Sequence, residues 1–221
     1  MKDVRTVIWD CDNVMWFHKK EEPQIVANEL KITEIDEFSS EFQSFFSNFL
    51  VHFQNKKVNM SETLKLVEQN MPILEIYQIS SKEFLRVLSE LKIEINEFNN
   101  DTLAILKYLR DKNIKCIIKS DWWRSTQEEI LSYYGVMDYI EEIHCCDNAY
   151  LKCNPLSAEG IIRPEQKEQY VIIGDSLESD IAFAKHAGIT SIWLNKNQIK
   201  NETLYKPDFE VTSLLEVMKI I

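Results

Sequence analysis

The chain opens on Val4-Arg5-Thr6-Val7-Ile8-Trp9, a run of β-branched and aromatic residues that stops at the polar Asp10-Cys11-Asp12-Asn13. Such a run, halted by turn-forming residues, predicts a buried strand over residues 4–9. The pattern then changes period. From Pro23 to about Leu91 apolar positions recur at steps of three and four, and the only glycines, Gly135, Gly160, Gly174 and Gly188, all lie later. The whole block therefore reads as helical. Phe38, Phe42, Phe45, Phe46, Phe49 and Phe53 make one stripe on a long helix, which predicts the core of a helical unit. Ser61 is placed to cap a helix through Met71, and Ser80-Ser81-Lys82-Glu83 reads as a capping box opening a helix to Leu91.

Near Asn99 helices begin to alternate with strands. A helix is expected over 101–112, then a strand over 114–119 that ends at Ser120-Asp121. Ser125-Thr126-Gln127-Glu128 reads as a second capping box, its helix closed by Gly135. Residues 139–144 and 170–173 are strand candidates, the latter ending at Gly174-Asp175. A helix from about Glu178 should close at Gly188, followed by strands over 190–194 and 208–211 and a helix over 213–219. This alternation predicts an α/β fold with a parallel, doubly wound sheet. The helical block after the first strand is then an insertion. The expected division is a core of residues 1–15 and 98–221 with an inserted helical domain of 16–97.

Composition adds limits. The chain has 221 residues, 45% hydrophobic and 28% charged, ordinary for a globular core. A net charge of −11 argues against nucleic acid or an anionic membrane surface as the main partner. The five cysteines, odd in number and without regular spacing, point to a reducing compartment. Met1-Lys2-Asp3 leads into the strand without an apolar signal segment, and no stretch is long enough to span a bilayer. The expectation is a cytoplasmic protein.

The chemistry-bearing residues stand at strand ends. Ligands of open α/β sheets bind outside the carboxyl ends of the strands. There, Asp10 and Asp12 can share a hard cation and still leave one oxygen free to attack. An isolated Asp-x-Asp is more often a solvated loop. This one gains weight from Ser120, Lys152 and Asp175 at three later strand ends.

With these four motifs in order, the chain resembles the haloacid dehalogenase superfamily of phosphohydrolases. Asp10-Cys11-Asp12-Asn13-Val14 matches the first motif and Ser120 the second. Lys152-Cys153-Asn154-Pro155 matches the third, and Gly174-Asp175 with Asp180 the fourth. The resemblance covers nearly the whole chain. It implies a Rossmann-like core with a helical cap, and Mg²⁺-dependent hydrolysis of a small phosphate monoester, the partner being a small phosphorylated metabolite. Asp10 would be the nucleophile, forming an aspartyl-phosphate, and Asp12 the general acid and base. Ser120 and Lys152 would hold phosphoryl oxygens. Mg²⁺ would be held by Asp10, Asp12 through its backbone carbonyl, and Asp175, with Asp180 orienting bound water or a neighbour. The family's dehalogenases lack an acid where Asp12 stands and need no metal, so Asp12 argues against halide displacement. Clustering of carboxylates predicts a raised pKa for Asp12.

Departures from the pattern are Asn13 where Gly is frequent, Asp121 where Asn is usual, and Cys153-Asn154 in place of Pro-Asp. Asp121 adds a negative charge near the expected phosphate site. Trp122 and Trp123 are read as packing beneath the cap, Cys11 as a core thiol, and His18-Lys19-Lys20 as a solvated charge run. Asp180 is equally placed to cap its helix. Two other functions fit the same motifs: a phosphomutase of the same fold, and a non-catalytic phosphate- or metal-binding module.

Overall fold

The computed structural model describes residues 3–221; the sequence reading of Met1 and Lys2 lies outside the described residues. Eight strands are described: β1 (Thr6–Trp9), β2 (Trp16–His18), β3 (Asn96–Phe98), β4 (Lys115–Lys119), β5 (Glu142–His144), β6 (Tyr170–Gly174), β7 (Thr190–Leu194) and β8 (Phe209–Val211). Six of them form one sheet in the order β5-β4-β1-β6-β7-β8, parallel throughout. β1 sits at its centre, every residue buried, as the unbroken apolar run requires when helices cover both faces.

Among the described residues nine α-helices accompany the strands: α1 (Glu22–Glu29), α2 (Ile35–Phe53), α3 (Met60–Asn70), α4 (Ile73–Ile76), α5 (Ser81–Glu90), α6 (Lys92–Ile95), α7 (Asp101–Asp111), α8 (Arg124–Tyr133) and α9 (Ala182–Ala187). α7 and α8 cover one face of the sheet, with Ile105, Leu109, Ile130 and Leu131 packed on Val7, Trp9 and Ile118. α9 covers the other through Phe183 and Ala184 against Ile8 and Ile172. The result is the doubly wound α/β core expected from the alternating pattern.

α1 to α6 form the inserted helical cap. Phe38, Phe42, Phe45, Phe49 and Phe53 of α2 are all buried, and Phe84 of α5 meets three of them edge-on at ring separations of 5.9–6.4 Å. Edge-to-face rings gain beyond their buried area. The cap also rests on the core: Phe46 and Phe49 lie 5.7 and 6.5 Å from the Trp122 ring. Two latches add to this, Val58 N to Ala149 O and Asn154 Nδ2 to Gln54 O, both 2.9 Å. Trp122 and Trp123 belong to the cap's apolar cluster, as expected.

A feature the hydrophobic pattern did not predict joins cap to core. β2 and β3 form a two-stranded antiparallel ribbon, pairing Trp16 with Phe98 and His18 with Asn96. Three-residue strands are too short to show a period in the sequence.

Several helix starts differ from expectation. Asn59, not Ser61, caps α3 by accepting Glu62 N at 3.0 Å; its backbone is extended there, whereas Ser61 already lies inside the helix. Ser80 caps α5 as expected. α8 begins before Ser125 and has no local cap; its first N–H goes to Asp147 Oδ2 at 2.8 Å, a residue 23 positions away. The helix expected from Glu178 opens as a wide π turn, Leu177–Ile181, before α9, and Gly188 closes it in the left-handed region. Only Glu142–His144 of the expected 139–144 strand joins the sheet as a strand.

Truncation of Phe45 to Ala should cost about 3–5 kcal/mol, the usual cost of emptying a large buried aromatic site. The measurement is the shift of the urea midpoint against wild type.

Candidate active site

The carboxyl ends of β1, β4 and β6 lie side by side, and each delivers a polar residue to one spot. Asp10 follows β1, Ser120 follows β4, and Asp175 follows β6. Lys152 arrives on the loop beyond β5 and is 97% buried, its side chain spanning inward to the acids. Its Nζ lies 2.6 Å from Asp10 Oδ1 and 2.6 Å from Asp180 Oδ1. Asp121, whose extra charge raised doubt in the sequence, holds that loop: Oδ1 accepts Lys152 N at 2.8 Å and Oδ2 accepts Ser179 Oγ at 3.1 Å. It ties the Lys152 loop to the Asp180 turn.

Asp180 is fully buried. Its Oδ2 accepts Ser176 N at 3.0 Å, while Ser176 Oγ caps the turn by accepting Ser179 N. The helix start therefore belongs to Ser176, and Asp180 is turned into the site. This is possible because position 174 has no side chain. A Cβ there would lie 2.1 Å from Asp180 Cγ and 2.3 Å from Oδ2.

Asp10, Asp175 and Asp180 each offer an oxygen within 4.8 Å of the others. Burial, then the charge of Asp180, pushes Asp10 well above the usual carboxylate range against the pull of Lys152. The same two causes push Asp175 up to about 7. Burial works against the Lys152 ammonium, but Asp10 and Asp180 raise it well above its ordinary value. Three carboxylates facing one ammonium leave an excess of negative charge, and oxygen donors of this kind suit a hard divalent cation. The residues present fit one.

Asp12 departs from expectation. Burial raises it, but the hydrogen bond and charge of His18, with Lys92 and Trp16, hold it below the usual carboxylate range. Trp16 Nε1 donates to Oδ1 at 3.1 Å, His18 Nε2 lies 3.2 Å from the same oxygen, and Gln127 Nε2 donates to Oδ2 at 3.2 Å. The sequence argument counted only neighbouring acids and could not see the ribbon folding two donors over Asp12. Its side chain is not part of the three-carboxylate cluster. His18 is accordingly not part of a solvated charge run. Burial opposes its charge, but hydrogen bonds to Asp12 and Glu22 push it up to about 9.

Ser120 is buried and accepts from Gln127 Nε2 at 2.9 Å and from Trp122 N at 3.2 Å. Gln127, Trp16 and His18 were missed as site residues. Gln127 had been read as part of a capping box, and its full burial is the signal that separates it from a surface cap. Asn13 takes φ 61°, a left-handed backbone that Asn tolerates and Gly would favour. Cys11 is a buried core thiol.

The model of the haloacid dehalogenase-like hydrolase family matches residues 33–194, well over half the chain, a span that includes Ser120, Lys152, Asp175 and Asp180 and begins after Asp12. A pyrimidine 5′-nucleotidase, PynA, of Streptococcus pneumoniae is 40% identical over 52 residues, 24% of this chain and 22% of that protein. The chain thus matches about a fifth of that relative's length. YfnB from Bacillus subtilis, described as a HAD-hydrolase and solved with magnesium bound, superimposes with a TM-score of 0.77 at 18% identity over 99% of both chains. The L-2-haloacid dehalogenase RSc1362 superimposes with a TM-score of 0.70 at 13% identity, again over 99% of both chains. At these identities the superpositions establish the fold, and the fold alone does not choose between ester hydrolysis and halide displacement.

Gly174→Ala should displace Asp180 and destabilise the protein by about 1–3 kcal/mol, the range for overpacking a tight site. Denaturant unfolding of the variant against wild type measures this; an unchanged midpoint would mean that the close approach of Asp180 is easily relieved.

Proposed function

This chain belongs to the haloacid dehalogenase-like hydrolases, and from that membership we propose that it is a Mg²⁺-dependent phosphohydrolase acting on a small phosphate monoester. The observation that carries the reading is the pair Asp10 and Asp12, one residue apart but held in opposite electrostatic states. Asp10 sits in the under-neutralised carboxylate cluster with Lys152 on one oxygen, and Asp12 is gripped by Trp16, His18 and Gln127. The pyrimidine 5′-nucleotidase relative supports a nucleoside monophosphate as one substrate to test.

Asp10 attacks phosphorus in line through the oxygen that Lys152 leaves free, forming an aspartyl-phosphate and releasing an alcohol. Ser120 and Lys152 hold phosphoryl oxygens beside it. Mg²⁺, held by Asp10, Asp175, Asp180 and the carbonyl of Asp12, would supply screening of the charge between carboxylate and phosphate. Asp12 delivers the proton that the leaving alkoxide takes and later takes one from the attacking water. With Asp12 ionised before substrate enters, that proton is carried by His18, whose ring meets Asp12 Oδ1 at 3.2 Å. A phosphate dianion arriving beside Asp12 raises its proton affinity and draws the proton across. A halide displacement has no use for an acid held in this way. In the phosphomutase alternative a second sugar hydroxyl replaces water, with the same residues in the same roles.

Two outcomes are expected. In a panel of sugar phosphates, nucleoside monophosphates, phosphoglycolate and phenyl phosphate, wild type releases phosphate only with Mg²⁺, and Asp10→Asn abolishes release. Isomer exchange without free phosphate would identify the mutase instead, and absence of any turnover would remove the enzyme reading.

The second concerns pH without metal. Asp175 has a folded pKa of about 7 against an ordinary 3.8, so the folded state keeps a proton that the unfolded chain has lost. Stability from this group is fully present below about 4 and is lost as pH rises through about 7. His18 acts in the same direction at higher pH, its contribution lost as pH rises through about 9. The melting temperature in chelator should therefore fall between pH 5 and 8, and Mg²⁺ should restore it most at pH 8. A flat profile with no Mg²⁺ effect would exclude a cation-dependent acidic cluster.

A further inference from the structure

The seam between cap and core beside Asp12 contains buried polar groups that the reaction above does not use. Asn96 is 97% buried, and neither Nδ2 nor Oδ1 has a hydrogen-bond partner. Leaving both ends of an amide unpaired inside a protein forfeits its hydrogen bonds to water without replacement, so a site that keeps them unpaired calls for an explanation.

The ribbon register says where that amide points. Asn96 lies directly opposite His18, and residues opposite one another in an antiparallel pair share a face. On the same face, Trp16 and His18 both reach Asp12 Oδ1. Asn96 is the remaining polar corner of that face, one cross-strand step from the group proposed to protonate the leaving oxygen. Two more buried atoms without a partner belong to residues that bind Ser120 and Asp12. Trp122 Nε1 belongs to the residue whose backbone N–H binds Ser120 Oγ, and Gln127 Oε1 is the free end of the amide that binds Asp12 and Ser120. Lys92, one helical turn before Asn96, lays its ammonium 5.1 Å from the Trp122 ring centroid.

The charges are already matched. Lys92 Nζ is 3.5 Å from Glu22 Oε1, and His18 lies between Asp12 at 3.2 Å and Glu22 at 3.3 Å. Beside His18 Nδ1, which faces Glu22 Oε2 at 3.3 Å as an ion pair without hydrogen-bond geometry, what is left over in this seam is uncharged: N–H groups of Asn96 and Trp122, and carbonyl oxygens of Asn96 and Gln127.

We propose that Asn96, with Trp122 Nε1 and Gln127 Oε1, forms the subsite for the leaving group, and that it selects an ester whose leaving group is neutral and carries both hydrogen-bond donors and acceptors. A leaving group with a second anion meets the carboxylates of Asp12 and Glu22, whose facing cations His18 and Lys92 are already paired. An apolar one leaves the amide unpaired. The ribbon then selects substrate with Asn96 and holds the acid with its neighbours Trp16 and His18. This inference rests on the phosphohydrolase reading for its kinetics but not for its binding.

The test compares wild type with Asn96→Ala and Asn96→Thr on uridine 5′-monophosphate, glucose 6-phosphate, phosphoglycolate and phenyl phosphate, with Mg²⁺ present. Wild type should favour one of the two neutral, hydroxyl- or imide-bearing esters over phosphoglycolate. Asn96→Ala should lower kcat/KM for that ester about 10–100-fold, mainly through KM, as expected for one or two lost hydrogen bonds. Phenyl phosphate should change less than about two-fold, and Asn96→Thr should recover part of the loss. Because the Asn96 side chain makes no bond within the protein, the melting temperature of both variants should stay close to wild type. An equal loss on phenyl phosphate, no loss on any ester, or a preference for phosphoglycolate would overturn the subsite. If wild type turns over none of the esters, the phosphohydrolase reading falls separately. Calorimetric titration with uridine 5′-monophosphate then decides the subsite: an affinity about 10-fold weaker in Asn96→Ala keeps it, and an equal affinity or no binding removes it.

Discussion

A single buried ammonium governs the arrangement of this molecule's sheet edge. Lys152 stands between Asp10 and Asp180 at 2.6 Å from each, in surroundings from which water is almost excluded. A buried carboxylate without a partner is strongly unfavourable, and three together more so. The rest of the edge follows from keeping that ammonium in place. Asp121 pins the loop that carries it, the absence of a side chain at Gly174 lets Asp180 reach it, and the parallel order β4-β1-β6 brings the acids within its range. The match is incomplete, since one cation faces three acids. A divalent cation would complete that balance.

The second organising element is the short ribbon of β2 and β3. In chain order it is merely where the core stops and the cap begins and ends. In space its inner face supplies two of the three side chains that hold Asp12. The cap is thus connected to the core through the residues that set the ionisation of the acid. A change in cap position that moved the ribbon would alter the contacts of Asp12 at the same time.

Much of this was legible beforehand. The unbroken apolar run of β1, the alternation beyond Asn99 and the phenylalanine stripe identified the parallel sheet and the helical insertion, because burial on both faces and a 3.6-residue period leave direct marks on the hydrophobic pattern. The polar residues Asp10, Ser120, Lys152, Asp175 and Asp180 could be located because each follows a strand or its loop, and a parallel sheet sends all such ends to one edge. Less legible were the starts of helices. Asn59 and Asp147 took capping roles assigned to Ser61 and Ser125, in the latter case from a residue far along the chain.

By itself the sequence determined the six strands of the main sheet, the helical insertion, their order, and which side chains reach the carboxyl edge, since these depend on local period and on the rule that parallel strands end together. The tertiary structure alone decided the electrostatics. Asp12 was expected to be raised by its acidic neighbours and is instead lowered against the effect of burial, because His18 and Trp16 fold back over it and the Lys92 charge lies near. Asn96 attracts no notice in the sequence. Its significance comes from being buried, unpaired and opposite His18. Charge and hydrogen bonding act over a few ångströms between residues distant along the chain, so their outcome is set only once the chain has closed on itself.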